Sequence, residues 1–236
     1  MQKITDRSKM EGQIMTDTIY LIHSGDKSSY MWPVWYYHYK KYYTCEYDTI
    51  FLSENKSMDF PGVKFQHTGD VPWADGLMTY LEKITAKYII YTHEDYFLTE
   101  PTNCKVLKDL IKLMDENDMR LLKCCGHWAG SPEWHENTGQ FIETNLYENV
   151  WRYANKNQYL ISHQTSIWSR DLLYTTLKIG EDPWGHELMG TDRLRARNLP
   201  IYAYRGKSPL ESAETMVSGE IREGCEHYFV IEPEEK

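Results

Sequence analysis

Apolar and polar positions along this chain fall into blocks that alternate between strand-sized runs and helix-sized periodic segments. From Thr18, "TIYLIHS" is a nearly unbroken apolar run that predicts a strand. "GDKSS" after it predicts a loop in which Ser28 or Ser29 caps the aromatic helix "YMWPVWYYHYKKYY". "DTIFLSEN" and "VKFQHTG" read as the second and third strands. "WADGLMTYLEKIT" sets Leu77, Leu81 and Ile84 on one face of an amphipathic helix. "KYIIYTHEDYFLTEP" contains the fourth strand. "NCKVLKDLIKLMDEND" then repeats Val106, Leu107, Leu110, Ile111 and Met114 at helical spacing, and "RLLKCCG" is the fifth strand.

This βαββαβαβ order predicts an α/β fold with a mostly parallel central sheet and helices on both faces. Ligands of such sheets sit beyond the carboxyl ends of the strands. Ser24–Asp26, Ser53–Asn55, His67–Trp73 and His93–Asp95 are therefore expected around one crevice.

The second half is less regular. Residues 126–150 carry turn formers, Trp128, Trp134 and the pattern of a hairpin. "QYLISHQTSIW" reads as a strand, "SRDLLYTTLKIG" as a helix capped by Ser169, "DPWGHELMGTDRLRARN" as a turn into a helix, and "PIYAYRG" as a strand. No internal repeat, low-complexity segment or linker divides the chain. The expected organisation is a loose tail over 1–16 and a single domain over 17–236, with halves at 17–126 and 127–236.

Of the 236 residues, 41% are hydrophobic and 26% charged, a globular balance. The net charge of −9 argues against nucleic acid as a partner, because phosphate neutralisation needs basic surface. The five cysteines are odd in number and contain no C-x-x-C pair, so neither a disulfide framework nor a zinc knuckle is expected, and a reducing compartment fits best. The polar opening "MQKITDRSKMEGQIM" lacks the apolar core of a signal peptide, and no run is long enough to span a bilayer. A soluble cytoplasmic protein with at most peripheral membrane contact is expected. In the aromatic helix, Trp32, Trp35 or Tyr36, Tyr39 and Tyr43 fall on one side, with Tyr37, Lys40 and Lys41 on another. One aromatic stripe over a sheet reads as core in preference to a lipid-facing surface.

The fourth strand ends in His93, Glu94 and Asp95, and burying such groups without partners is costly. One reading is a strand end reaching water. A second combines His93 and Asp95 with His163, His186 or His227 as a two-histidine, one-carboxylate iron site. A third takes the triplet as a cation or phosphate site at the mouth of the crevice. In this last form the segment resembles the metal-binding D-x-D element of GT-A glycosyltransferases. Two longer blocks extend the resemblance over about a quarter of the chain: "VPWADGLMTYLEKITAKYIIYTHEDYFL", similar to the W-S-D-R-L…E-D-Y-F run of bacterial and viral members, and "HQTSIWSRDLLYTTLKIGEDPWGHELMGTDR", similar to their Q-x-x-x-W…P-W-x-x-E segment.

The resemblance implies a nucleotide-sugar donor, a glycan or glycolipid acceptor and a bound Mn²⁺ or Mg²⁺ that neutralises the departing diphosphate. Asp95 aligns with the last acidic position of the element. His93 replaces its first carboxylate, with Glu94 beside them. Glu187 aligns with the P-W-x-x-E glutamate, the base that takes the acceptor proton in inverting members; read alone it is an ordinary acid in a first helical turn. Trp73 and Asp75 would lie near the donor, Asp75 being equally a helix cap. Ser53 and Glu54 are placed by topology to meet base or ribose. Gln164, Trp184 and His186 would meet the acceptor, Trp184 being equally a core anchor, while Trp168 packs. One of Arg193, Arg195 and Arg197 could reach a diphosphate or all could be a solvated face. No G-x-S-x-G, P-loop or G-x-G-x-x-G occurs, which fits direct displacement without a covalent enzyme intermediate. The alternative is a carbohydrate- or nucleotide-binding protein on the same fold that does not turn over.

Overall fold

A computed structural model describes residues 17–124, 141–143, 147–157, 159–217 and 219–231. Strands β1 (Thr18–His23), β2 (Asp48–Ser53), β3 (Val63–His67) and β4 (Tyr88–His93) form a parallel array in the order β3-β2-β1-β4. The sheet continues through β9 (Ser166–Ser169), β6 (Leu121–Lys123), β10 (Tyr202–Tyr204), β8 (Val150–Tyr153) and β7 (Phe141–Glu143), nine strands in all. Only β9 and β8 run against the rest. The sheet is thus mostly parallel, as the element order predicts.

Strand parity builds two cores. On β1, Tyr20 and Ile22 face one side and Leu21 the other; on β4, Ile90 and Tyr91 divide the same way. The first face is covered by α1 (Trp32–Tyr42) and α3 (Cys104–Glu116), through Trp32, Trp35, Leu107 and Leu110. The second is covered by α2 (Trp73–Lys83), α4 (Arg170–Thr176) and α5 (Thr191–Arg197), through Leu77, Leu81, Leu172, Leu173 and Leu194. Burial on both faces explains why β1, β2 and β4 read as continuous apolar runs rather than alternating ones. The aromatic stripe of α1 is core: Trp35 stacks on Tyr39, Tyr39 on Tyr43, and Tyr43 on Tyr20.

Several expectations need correction. Neither Ser28 nor Ser29 caps α1; Asp26–Ser28 form a 3₁₀ turn, and the helix begins at Trp32 with Pro33 in its first turn. Ser169 does cap α4, accepting from the Leu172 amide at 3.3 Å. The long strand expected from residue 158 starts only at Ser166. The acidic triplet turns at once into β5 (Tyr96–Leu98), which pairs with β11 (Ser212–Glu214) in a small antiparallel sheet, and β12 (Met216–Val217) pairs with β13 (Glu220–Ile221) beyond it. Trp128 and Trp134 and the tail over 1–16 lie outside the described residues. No helix among the described residues is long and apolar enough to cross a membrane.

The cysteine expectation is overturned. Cys45, just past α1, and Cys104, at the start of α3, form a disulfide across a sequence separation of 59. Residues so far apart could not be paired from spacing, and the bridge removes the reason given for a reducing compartment. Closing a loop of that length is worth about 4 kcal/mol by chain entropy. Melting the chain with and without reductant is expected to reveal a clear drop in Tm on reduction, one that the double variant Cys45→Ser, Cys104→Ser reproduces without reductant.

Candidate functional site

The carboxyl ends of β1, β2 and β4 meet at one edge, with His23 opposite His93 in register. Because β9 enters antiparallel between β4 and β6, the segment that precedes it is carried over this same edge. Tyr91 is level with Ser166, and Thr165 Oγ1 donates to Thr92 Oγ1 at 3.2 Å. His163 and Gln164, 70 residues beyond His93 and Glu94, thereby arrive beside them.

Parity then sorts the side chains. His23 and His93 continue the face of Leu21 and Tyr91, under α2. The Tyr91 hydroxyl bridges the two rings, 3.0 Å from His23 Nδ1 and 3.1 Å from His93 Nε2. His93 stacks on His163 with centroids 4.8 Å apart, and His163 stacks on His186 at 5.2 Å. Trp73 closes the group, 5.0 Å from His163 and 5.5 Å from His23. Desolvation lowers all four histidines: His23 and His186 to about 3, His93 to about 4, and His163 well below its ordinary range with further repulsion from His93. They form a neutral aromatic wall.

Carboxylates gather beside that wall. Glu94 is buried, which raises its pKa against hydrogen bonds from Ser28 and Ser24. Asp95 lies in the turn after β4, its carbonyl accepting from the Thr215 amide at 2.9 Å and Thr215 Oγ1 at 2.8 Å. Burial, with Glu94 and Glu214 nearby, drives Asp95 well above the usual carboxylate range. Its Oδ1 is buried without a hydrogen-bond partner. Glu187 is raised by burial, opposed by the His163 amide, which donates to Oε1 at 2.7 Å, and by Lys123. The Tyr91 hydroxyl is raised by burial first and then by the negative charge of Glu94 and Glu187.

Glu187 owes its position to an irregular turn. Asp182 caps a short helical turn (Pro183–Gly185) by accepting from the Gly185 amide at 2.6 Å, and His186–Gly190 follow as a π turn before α5. Such wide turns frequently mark functional sites. Gly190 is required there: a Cβ would stand 2.8 Å from Ile161 Cδ1 and 2.9 Å from the His186 ring. The turn buries His186 and leaves Trp184 72% exposed, with Leu188 and Met189 exposed beside it.

The other expected residues divide. Gln164 is buried just ahead of β9, and Trp168 packs in the core as expected. His186 offers no free ring nitrogen to a sugar hydroxyl: Nε2 meets Thr176 Oγ1 at 3.1 Å and Nδ1 meets His163 at 3.3 Å. Asp75 does not cap α2; it accepts from the Gly180 amide at 2.6 Å and ties α2 to the loop before the Glu187 turn. The Ser53 hydroxyl is buried and donates to the Lys56 carbonyl at 2.7 Å. Glu54 accepts from the Asp26 amide at 3.1 Å, while the Asp26 carboxylate accepts from the Asn55 and Lys56 amides, so the two loops clasp each other. All three arginines are committed elsewhere: Arg193 pairs bidentately with Glu181, Arg195 binds Asp192, and Arg197 binds Thr175. His227 lies on the turn at Glu226–Phe229, against Tyr228 and outside the histidine stack.

Tyr91, His23 and Lys123 were not singled out from sequence for this site, and His163 only as one of three histidines for the iron reading. For Tyr91 and His23 a signal exists, since both lie on the His93 face at strand period two. Lys123 reads as one residue of an ordinary strand end. It is 4% exposed, donates to the Tyr159 carbonyl at 2.9 Å and lies over the Tyr153 ring.

As a cation site the residues fit in part. Asp95 presents an unpartnered buried oxygen and is raised by neighbouring carboxylates, a charge distribution a divalent ion relieves. His93 commits Nε2 to Tyr91 and its face to His163. Among the described residues no three His, Cys, Asp or Glu side chains are grouped to hold a metal, which also leaves the two-histidine iron arrangement without its ligand set.

No family model matches the sequence, and no curated protein matches it. Solved structures do. Staphylococcus aureus TarS 1–349 in complex with UDP-GlcNAc superposes with a TM-score of 0.53 at 13% identity, over 81% of this chain and 57% of that one. Its complex with UDP gives 0.52 at 13% identity, over 81% and 59%. A cytidylyltransferase from Leptospira borgpetersenii gives 0.50 at 10% identity, over 85% and 82%. The chain spans less than two thirds of the length of the TarS fragment it matches. At these identities the likeness is one of fold: the GT-A-like α/β architecture expected from the sequence is the architecture found.

Proposed function

We propose that the chain is a glycosyltransferase that moves a sugar from a nucleoside-diphosphate sugar to a hydroxyl of a glycan or glycolipid acceptor, with inversion at the anomeric carbon. The observation that carries this reading is that Glu187, held by the His163 amide, is brought through the His163–His93 stack to the carboxyl end of β4, where Glu94 and Asp95 follow in the chain and open α/β sheets take their ligands. The fold likeness to a protein that binds UDP-GlcNAc and to a cytidylyltransferase supports a nucleotide-linked transfer.

Glu187 is the base. Its Oε1 is oriented by the His163 amide, and burial raises its proton affinity toward that needed to accept an acceptor proton. The histidine wall and Trp73 keep water from that side of the base. Trp184, exposed on the same turn, offers an aromatic face to the acceptor ring. Asp95, with Glu94 beside it, is the cation ligand. A bound Mn²⁺ or Mg²⁺ supplies charge neutralisation for the departing diphosphate. His93 holds Tyr91 and His163 in place rather than completing the ligand set.

The test is a thermal-shift panel of UDP, GDP, CDP and dTDP and their common sugars, with and without Mn²⁺. One nucleotide is expected to raise Tm in a Mn²⁺-dependent way, as binding to the native state requires. Asp95→Asn is expected to lose that shift. A shift independent of both metal and Asp95 would favour a metal-free enzyme or the binding protein without turnover, and the absence of any shift would remove the donor site altogether. Consumption of the donor sugar separates the two binding outcomes.

A further inference from the structure

Away from the crevice, on the α1 side of the sheet, a cavity of about 420 Å³ lies between α1, the end of β5 and the turn Glu226–Phe229. Its lining includes Tyr37, His38, Lys41, Tyr42, His227 and Tyr228. Thr99, on its rim, is four residues beyond Asp95 along extended chain, roughly 13 Å at strand rise. The cavity is therefore distinct from the crevice.

Its construction is specific. His38 is buried with its ring nitrogens 2.9 Å from the Leu98 carbonyl and 2.9 Å from the Tyr228 carbonyl, a neutral ring donating to one of the two, so it seats the floor between β5 and the turn Glu226–Phe229. Tyr37 meets the His38 ring edge-on, and His227 lies against Tyr228 at 3.9 Å between centroids. Lys41 stands over two rings, 5.5 Å from the Tyr37 centroid and 5.3 Å from that of Tyr42. The Tyr42 hydrogen bond and the two tyrosines raise the Lys41 pKa. Among the described residues no carboxylate pairs with it, although acidic residues outnumber basic ones 35 to 26 in the chain.

Aromatic walls with hydroxyls at their tips suit the C–H faces and hydroxyl edges of a sugar ring better than a wholly apolar guest, and the volume lies in the range of small-ligand sites. A single ammonium held at the rim selects a guest with negative charge. We propose that this cavity is a second binding site, for a pyranose ring that carries a carboxylate or a phosphate. The site stands whether or not the crevice carries out transfer.

Ligand-observed NMR titration of the whole chain tests it with glucuronic acid, glucose 6-phosphate, glucose, inorganic phosphate and UMP. The two acidic sugars are expected to bind in the millimolar range, and about fivefold more tightly than glucose or inorganic phosphate, the scale of one exposed charge pair. Lys41→Met should erase the advantage over glucose, and Tyr37→Ala should weaken every sugar. Thermal melts of the same variants check that the fold is intact. Equal binding of glucose and glucuronic acid, phosphate binding as well as the sugars, UMP binding tighter than that of either acidic sugar and lost in Lys41→Met, insensitivity of the acidic sugars to Lys41→Met or no saturable binding would each overturn the proposal.

Discussion

Replacing Glu187 by glutamine is expected to lower sugar transfer by about 10²- to 10⁴-fold, the contribution of a positioned general base. The amide keeps the shape of the side chain and its oxygen can still accept from the His163 amide, so the π turn and the Trp184 platform stay in place. Donor binding is expected to persist, because Glu187 faces the acceptor side while Asp95 carries the cation in the proposed reaction. Steady-state transfer rates and nucleotide thermal shifts on the same sample separate the two effects. A variant that transfers at the wild-type rate would remove Glu187 as base. Loss of nucleotide binding as well would recast it as part of the donor site.

The second large effect is on acid stability. His23, His93, His163 and His186 are held neutral in the folded chain, at values from about 4 downward for the first, second and fourth, against an ordinary 6.5. A folded pKa below the unfolded one gives stability that is complete above 6.5 and is lost as pH falls toward the folded value. Glu94, Asp95 and Glu187 act in the opposite sense: their folded values are raised, so their contribution is present below the unfolded 4.5 or 3.8 and is lost as pH rises. Between about pH 4.5 and 5.5 four rings take up protons on unfolding against at most three carboxyls releasing them. The net uptake is at least about one proton, or about 1.4 kcal/mol of stability lost per pH unit of acidification. Urea unfolding across this window should show stability rising with pH. Asp95→Asn, which removes one opposing group, should steepen the slope, and His23→Asn should flatten it by about one proton. A slope of the reverse sign would mean that the carboxyls, not the ring wall, set the acid response.

Burial explains the unusual density of titratable groups at this edge. A strand end that merely reached water would leave His93 with its ordinary proton affinity. Here Trp73 and the segment ahead of β9 cover it, and the same cover raises Glu187. The disulfide adds a second constraint at the far end of α1, so the helix that frames both the crevice loop and the second cavity is fixed to α3.

The sequence by itself determined what local pattern can determine. Runs buried on both faces, such as "YLIH" and "YIIY", and the helical spacing of Leu77 and Leu81 required parallel strands covered by helices. The same order placed His93, Glu94 and Asp95 at the ligand edge. Strand parity, also in the sequence, already separated the His93 face from the Glu94 face. Tertiary structure decided the rest, because it depends on partners far apart in the chain. The antiparallel entry of β9 carried His163 over His93 and converted a strand end into a closed ring stack. The abrupt turn at Glu94 gave Asp95 to Thr215 instead of leaving it in line with His93. The helical turn at Pro183–Gly185 running into the π turn buried His186 and exposed Trp184, and packing against His163 and Thr176 chose which of the two turned inward. Cys45 met Cys104 only because α1 and α3 pack on the same face of the sheet. Period and polarity fix which side a residue faces within its own element; which distant group it meets there is set by how the elements close on one another.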